Sequence, residues 1–154
     1  MSELLTIRPA TAEDAVELAK TMRPEDAAEV YASGGFDPAT AVLESFRLSV
    51  NPQVALIDGE LAAMWGVAPI NLATGFGVVW MLTGAAVWKA PLLFLRASKR
   101  EVERLASHWN CLVNAIDARY ERAVRWAKWL GLKVDAPRPF GFLGLPFHHI
   151  QIGG

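Results

Sequence analysis

Apolar positions along this chain change period repeatedly, and the changes mark out its elements. Leu4-Leu5-Thr6-Ile7-Arg8 reads as a first strand, stopped by Pro9. Thr11 then caps a helix, with Asp14 three residues on in capping-box spacing, and Ala15, Leu18, Ala19 and Met22 recur at helical spacing as its apolar stripe. Pro24 suits the first turn of a second helix through Glu29, Val30 and Tyr31, which Gly34-Gly35 ends. Asp37-Pro38 starts a third, striped by Ala39, Val42, Leu43 and Phe46. Val54–Ile57, Asp58-Gly59 and the run from Leu61 form a hairpin pattern, because Asp-Gly favours a tight primed turn. Val78–Leu82 reads as a buried strand. Pro91 opens a long helix through Trp109, apolar at Leu95, Val102, Leu105 and Trp109 and basic at Arg96, Lys99, Arg100 and Arg104. Cys111–Ile116 is a further buried strand, Ala118–Leu130 a helix closed by Gly131, and Phe147–Ile152 a last strand beyond a Pro/Gly-rich tail.

The longest uncharged stretch, Leu61 to Trp88, spans 28 positions, more than the roughly 20 that cross a bilayer. Gly66, Pro69, Asn71, Thr74, Gly75 and Gly77 break its middle, so two buried strands are expected in place of a membrane span. With 154 residues, 53% hydrophobic and 20% charged, the chain fits one domain over residues 1–154 and is too apolar for disorder. Its net charge of -1 gives no overall pull toward nucleic acid. Residues 1–77, however, hold 4 Lys/Arg against 11 Asp/Glu, and residues 78–154 hold 11 against 5. Such a split suits either mutual salt-bridging of the halves or a basic side that faces an anionic ligand. The lone Cys111 excludes an intrachain disulfide and suits a reducing compartment. Met1-Ser2-Glu3-Leu4 lacks a signal-peptide pattern.

Several separated segments resemble one family. Val79-Trp80-Met81-Leu82-Thr83-Gly84, Phe94–Arg100, Val113–Arg119, Ala123–Leu132 and the acidic Met22–Val30 are similar to the GNAT (Gcn5-related N-acetyltransferase) superfamily in its phage Gp13-like branch. The resemblance implies an α+β, three-layer fold with a mixed, mostly antiparallel central sheet flanked by helices. It also implies acetyl-CoA as cofactor and a small-molecule or protein amine as acceptor. Phage structural proteins are then candidate partners, in the host cytoplasm or at the virion. Fold likeness leaves two functions open: an acyl-CoA-dependent N-acyltransferase, and a non-catalytic phage virion or assembly protein that works by protein contact.

The resemblance places a phosphate cradle at Thr83–Lys89, where Gly84, Ala85 and Ala86 are small enough for close backbone approach, although paired glycines are missing. It assigns backbone groups of Leu82 and Ala85 to the cofactor, and Arg122 or Arg119 to its phosphates. In the family's last-helix pattern the asparagine place holds Tyr120 and the tyrosine place holds Ala127, which has no proton to donate. Glu29, with Asp26 beside it, is the candidate general base, against the ordinary alternative of solvent-facing carboxylates. His108 reads as a surface residue, and of His148-His149 at most one can face a site on a strand. No third ligand at a recognisable spacing joins them, so no metal site is expected. Of six tryptophans, Trp80, Trp109 and Trp126 fit core stripes, while Trp129 shares a helix face with Arg122 and Arg125.

Overall fold

The computed structural model describes residues 4–154; the segment 1–3, read above as lacking a leader, lies outside them. Eight strands and five helices follow in the order β1 (Leu5–Pro9), α1 (Ala12–Thr21), α2 (Pro24–Gly34), α3 (Pro38–Leu48), β2 (Val50–Ile57), β3 (Glu60–Asn71), β4 (Phe76–Thr83), a 3₁₀ turn (Ala85–Lys89), α4 (Pro91–His108), β5 (Cys111–Asp117), α5 (Glu121–Trp129), β6 (Lys133–Val134), β7 (Arg138–Phe140) and β8 (Leu145–Gly153). They form one sheet in the order β1-β2-β3-β4-β5-β8-β6, with β7 also on β8. Every pair is antiparallel except β4 with β5.

The local signals work as chemistry. Thr11 Oγ1 accepts from the Asp14 amide and Asp14 Oδ2 from the Thr11 amide, closing the capping box. Asp14 also holds Arg8 at 2.6 Å. Asp58 and Gly59 both take positive φ, 50° and 82°, as the primed turn requires. Pro9 stays in β1 instead of stopping it. It pairs with Gln53 at the end of an edge strand, where a missing N–H costs no ladder bond. The last helix starts three residues later than its apolar pattern suggests, because Asp117–Tyr120 turn before Glu121.

Both faces of the sheet are covered. Met64 and Val54 pack with Leu82 against Leu18 of α1 and Val42 of α3. Trp65, Ala63 and Ala55, on the alternate positions, pack under Phe94 of α4. The loop between β7 and β8 hooks onto the end of α2. The Phe142 amide donates to Ser33 O at 3.0 Å and the Leu143 amide to Ala32 O at 3.1 Å. Gly141 makes the hook fit: its φ is 77°, and a Cβ there would lie 2.7 Å from the Ser33 backbone. No described helix is long and apolar enough to cross a membrane.

Candidate active site

β4 and β5 pair only over Phe76–Val78 and Cys111–Val113. Beyond that point β4 runs on beside β3 to Thr83 and β5 beside β8 to Asp117, with no ladder between them, so the sheet forks. An open fork leaves inward backbone groups without strand partners, and each needs another. Asn114 fills the vertex. Its Nδ2 donates to Val79 O at 2.5 Å and its Oδ1 accepts from the Ala115 amide at 2.7 Å, so one side chain satisfies the first free group on each arm.

Helix α2 bridges the open end with two carboxylates three positions apart on one face. Asp26 Oδ2 accepts from the Thr83 amide at 2.8 Å and from the Thr83 hydroxyl. Glu29 Oε2 accepts from the Asp117 amide at 3.0 Å. Arg23, one turn earlier, donates its backbone amide to Thr83 O and its Nη2 to the Tyr120 hydroxyl. Burial pushes the Glu29 carboxyl up to about 8, against the Asp117 amide, with the charges of Asp26 and Asp117 adding to the rise. Burial also raises Asp26, more than its bonds from Thr83 lower it. Burial would lift Asp117 too, but the Arg119 guanidinium, bound at 2.7 Å, holds it below the usual carboxylate range.

Between these anchored points one group of β4 stays open. Val79 and Thr83 turn their backbone bonds into the fork, while Leu82 pairs with Met64 and Gly84 donates to Ala62 O on the β3 side. Strand alternation therefore aims the N–H and C=O of Met81 into the fork. A cleft of about 510 Å³ lies over it, between α4 and α5, and reaches Met81, Asp26, Glu29 and Tyr120. Its lining is largely apolar and includes five of the six tryptophans: Trp65, Trp80, Trp88, Trp126 and Trp129. Trp65 Nε1 is bound to Glu101 and Trp80 Nε1 to Ser49, but Trp126 Nε1 is buried with no partner.

No family model matches the chain, and no curated protein matches it in sequence. Solved structures do match in shape. An acetyltransferase of the GNAT family from Streptococcus pneumoniae aligns over 96% of this chain and 98% of its own at 12% identity, with a TM-score of 0.62. Spermidine N-acetyltransferase from Vibrio cholerae, in complex with CoA and spermine, aligns over 96% and 94% at 10% identity and a TM-score of 0.72. AAC(6')-Ib, in complex with ribostamycin and coenzyme A, aligns over 97% and 93% at 16% identity and a TM-score of 0.69. The chain has the fold of GNAT acetyltransferases. At these identities the likeness fixes architecture: a mixed, mostly antiparallel sheet flanked by helices.

On this GNAT fold the residues singled out from sequence fall in different places. Glu29 and Asp26 line the cleft. The Leu82 side chain is buried with Leu18 and Met64, and its backbone faces β3, so Met81 is the β4 residue whose backbone reaches the fork. Gly84 packs against α1, where a Cβ would lie 3.0 Å from Thr21 Oγ1 and 3.2 Å from Leu18 Cδ1. Ala85 is exposed at the start of the 3₁₀ turn, and Ala86 is buried in the core under α4. Lys89 leaves the turn for Glu60 at 2.8 Å. Arg122 is exposed at the cleft mouth, with its guanidinium 5.0 Å from the Trp88 ring centre. Arg119 lies beside it but is bound to Asp117. Tyr120, from the asparagine place, is buried at the start of α5 with its hydroxyl on Arg23. The three histidines stay outside the cleft: His108 bonds Arg104 O, His148 bonds Asp135 O, and His149 Nδ1 accepts from Arg138. Burial and the charge of Arg138 lower His149 below the usual histidine value. Among the described residues no three His, Cys, Asp or Glu side chains cluster as a metal site.

Asn114 and Met81 lie in segments quoted from the sequence, but neither was given a site role there. Asn114 did leave a trace, as the one polar residue inside the run from Cys111 to Ile116. Met81 left none, because a backbone group carries no residue-type signal.

Proposed function

We propose that the chain is an acyl-CoA-dependent N-acyltransferase whose chemistry takes place in the fork. What carries this reading is the backbone of Met81, which strand alternation aims into the open fork between the bound Val79 and Thr83. The cleft residues fit such a cofactor on two further counts. Trp126 Nε1 is a buried donor awaiting an acceptor, which an amide carbonyl of a pantetheine arm supplies. The apolar lining suits the arm itself.

When bound, acetyl-CoA supplies an acyl group activated as a thioester. Met81 N–H would hold the thioester carbonyl, where amine attack gathers negative charge. Trp126 Nε1 orients the arm, and the tryptophan walls exclude water. Glu29, when ionised, would take one proton from the incoming ammonium, and a carboxyl near 8 is well matched to that transfer near neutral pH; attack of the freed amine would form the C–N bond and break the C–S bond, the second nitrogen proton leaving with the thiolate as the CoA thiol. The acceptor is an amine, a reading supported by the likeness to a spermidine N-acetyltransferase bound to CoA and spermine. The finer reading, a phage-borne enzyme acting in the host cytoplasm or at the virion, rests on the sequence segments quoted above.

A second reading, a non-catalytic scaffold acting by protein contact, draws support from Gly84, which packs against α1 instead of lining a phosphate cradle, and from Ala127 at the family's tyrosine place. Isothermal titration with acetyl-CoA separates the two. Micromolar binding with acetylation of a polyamine supports the enzyme, and no heat at millimolar cofactor leaves the scaffold.

A further inference from the structure

Both ends of the turn after β4 are tied to the protein itself. Gly84 meets Thr21 and Leu18, its amide is bound to Ala62 O, Lys89 is bound to Glu60, and Pro91 removes an N–H from the first turn of α4. A second basin, of about 400 Å³, opens on the other side of the cleft mouth and shares Arg23, Trp88, Tyr120, Arg122 and Arg125 with the apolar cleft. Four arginines line it, Arg23, Arg119, Arg122 and Arg125, against two carboxylates, Glu25 and Glu121. Arg119 is neutralised by Asp117, but no salt bridge holds Arg23, Arg122 or Arg125 among the described residues. Arg23, the N-cap of α2, and Arg122, on α5, each bring a guanidinium against Trp88, 4.9 and 5.0 Å from its ring centre. Arg23 Nε is buried with no hydrogen-bond acceptor. Guanidiniums that line one basin without counter-ions, one carrying an orphan donor, suit an anion of several oxygens. The first turn of α5 adds its positive end.

We infer that the arginine basin around Trp88 binds the phosphate-bearing end of the acyl donor, in place of the Gly84 and Lys89 ends of the turn after β4. The inference rests on the acyl-CoA reading above. The two connected spaces define the ligand's chemistry: an apolar, amide-containing arm in the tryptophan cleft, continuous with a polyanionic head at the rim. Trp88 offers a flat partner at the junction.

The test is direct binding, read by tryptophan fluorescence and calorimetry, with CoA, phosphate-free pantetheine and inorganic pyrophosphate as probes. The variants are R122A/R125A and, on the occupied turn, K89A. Arg122 and Arg125 are exposed, so unchanged circular dichroism is expected. The expected result is that R122A/R125A weakens CoA by about tenfold per arginine and weakens pyrophosphate in parallel. Pantetheine affinity is unchanged in that variant, and K89A binds CoA as the wild type does. CoA binding that survives R122A/R125A but falls in K89A overturns the inference and leaves the acyl-transfer reading standing. Wild-type protein that binds neither CoA nor pantetheine overturns both.

Discussion

Glu29 holds its proton at neutral pH because the fork that positions it also strips away its water. Ionisation therefore switches on across a window near pH 8, and the acylation rate is expected to rise with pH through that value. E29Q keeps an oxygen for the Asp117 amide but cannot accept a proton, so it should lower kcat about 100-fold and flatten the pH profile. An unchanged profile in E29Q would assign the carboxylate to holding β5 alone. Stability gives an independent readout. Glu29 ionises near 4.5 when unfolded and near 8 when folded, so the native state binds the extra proton between those values. Stability should fall as pH rises across that window, and E29Q should remove most of the slope in Tm measured from pH 5 to pH 8. Asp26 shifts in the same direction and leaves a smaller residual slope. The residue type and the helix face of Glu29 were legible in the sequence. Its partner was not, because Asp117 lies 88 positions away and only the fold brings its amide near.

Among the elements, the fork depends on a side chain replacing a ladder. Asn114→Ala leaves Val79 O and the Ala115 amide without partners, at a cost of about 1–3 kcal/mol. That corresponds to a drop in Tm of roughly 3–10 °C by thermal unfolding. In the core, Met64→Ala removes a fully buried side chain between α1, α3 and the sheet and should cost about 2–5 kcal/mol by urea titration. Thr11→Ala, which removes the first helix's cap, should cost about 1 kcal/mol. Elements with a periodic stripe were legible: the capping box of α1 and the Asp58-Gly59 hairpin sit where the pattern placed them, while on α4 the pattern found Leu105 but missed Phe94, Ala97 and Ser98, which are buried with it. β7 was not, since Arg138-Pro139-Phe140 reads as loop and becomes strand only because β8 lies alongside. The fork itself is a missing pairing, and a missing pairing leaves no period to read.

Across the whole molecule the charge split of the sequence survives folding. Of the six ion pairs among the described residues only Lys89–Glu60 joins the acidic half to the basic half. The others are local, such as Arg8–Asp14 and Arg119–Asp117. The halves therefore do not neutralise each other; acidic α2 faces basic α5 across the fork. Affinity for a polyanionic donor should accordingly weaken as salt rises from 50 to 500 mM, more steeply in the wild type than in R122A/R125A. The hook of Phe142 and Leu143 on α2 adds a matter of timing. The helix that bears both carboxylates is synthesised among the first forty residues, yet its far end packs on Phe147 as well as Ala115, and its last carbonyls gain the Phe142 and Leu143 amides only when the tail is made. A nascent chain that stops earlier lacks both this hook and β8, the strand beside β5, so activity should arrive late in synthesis.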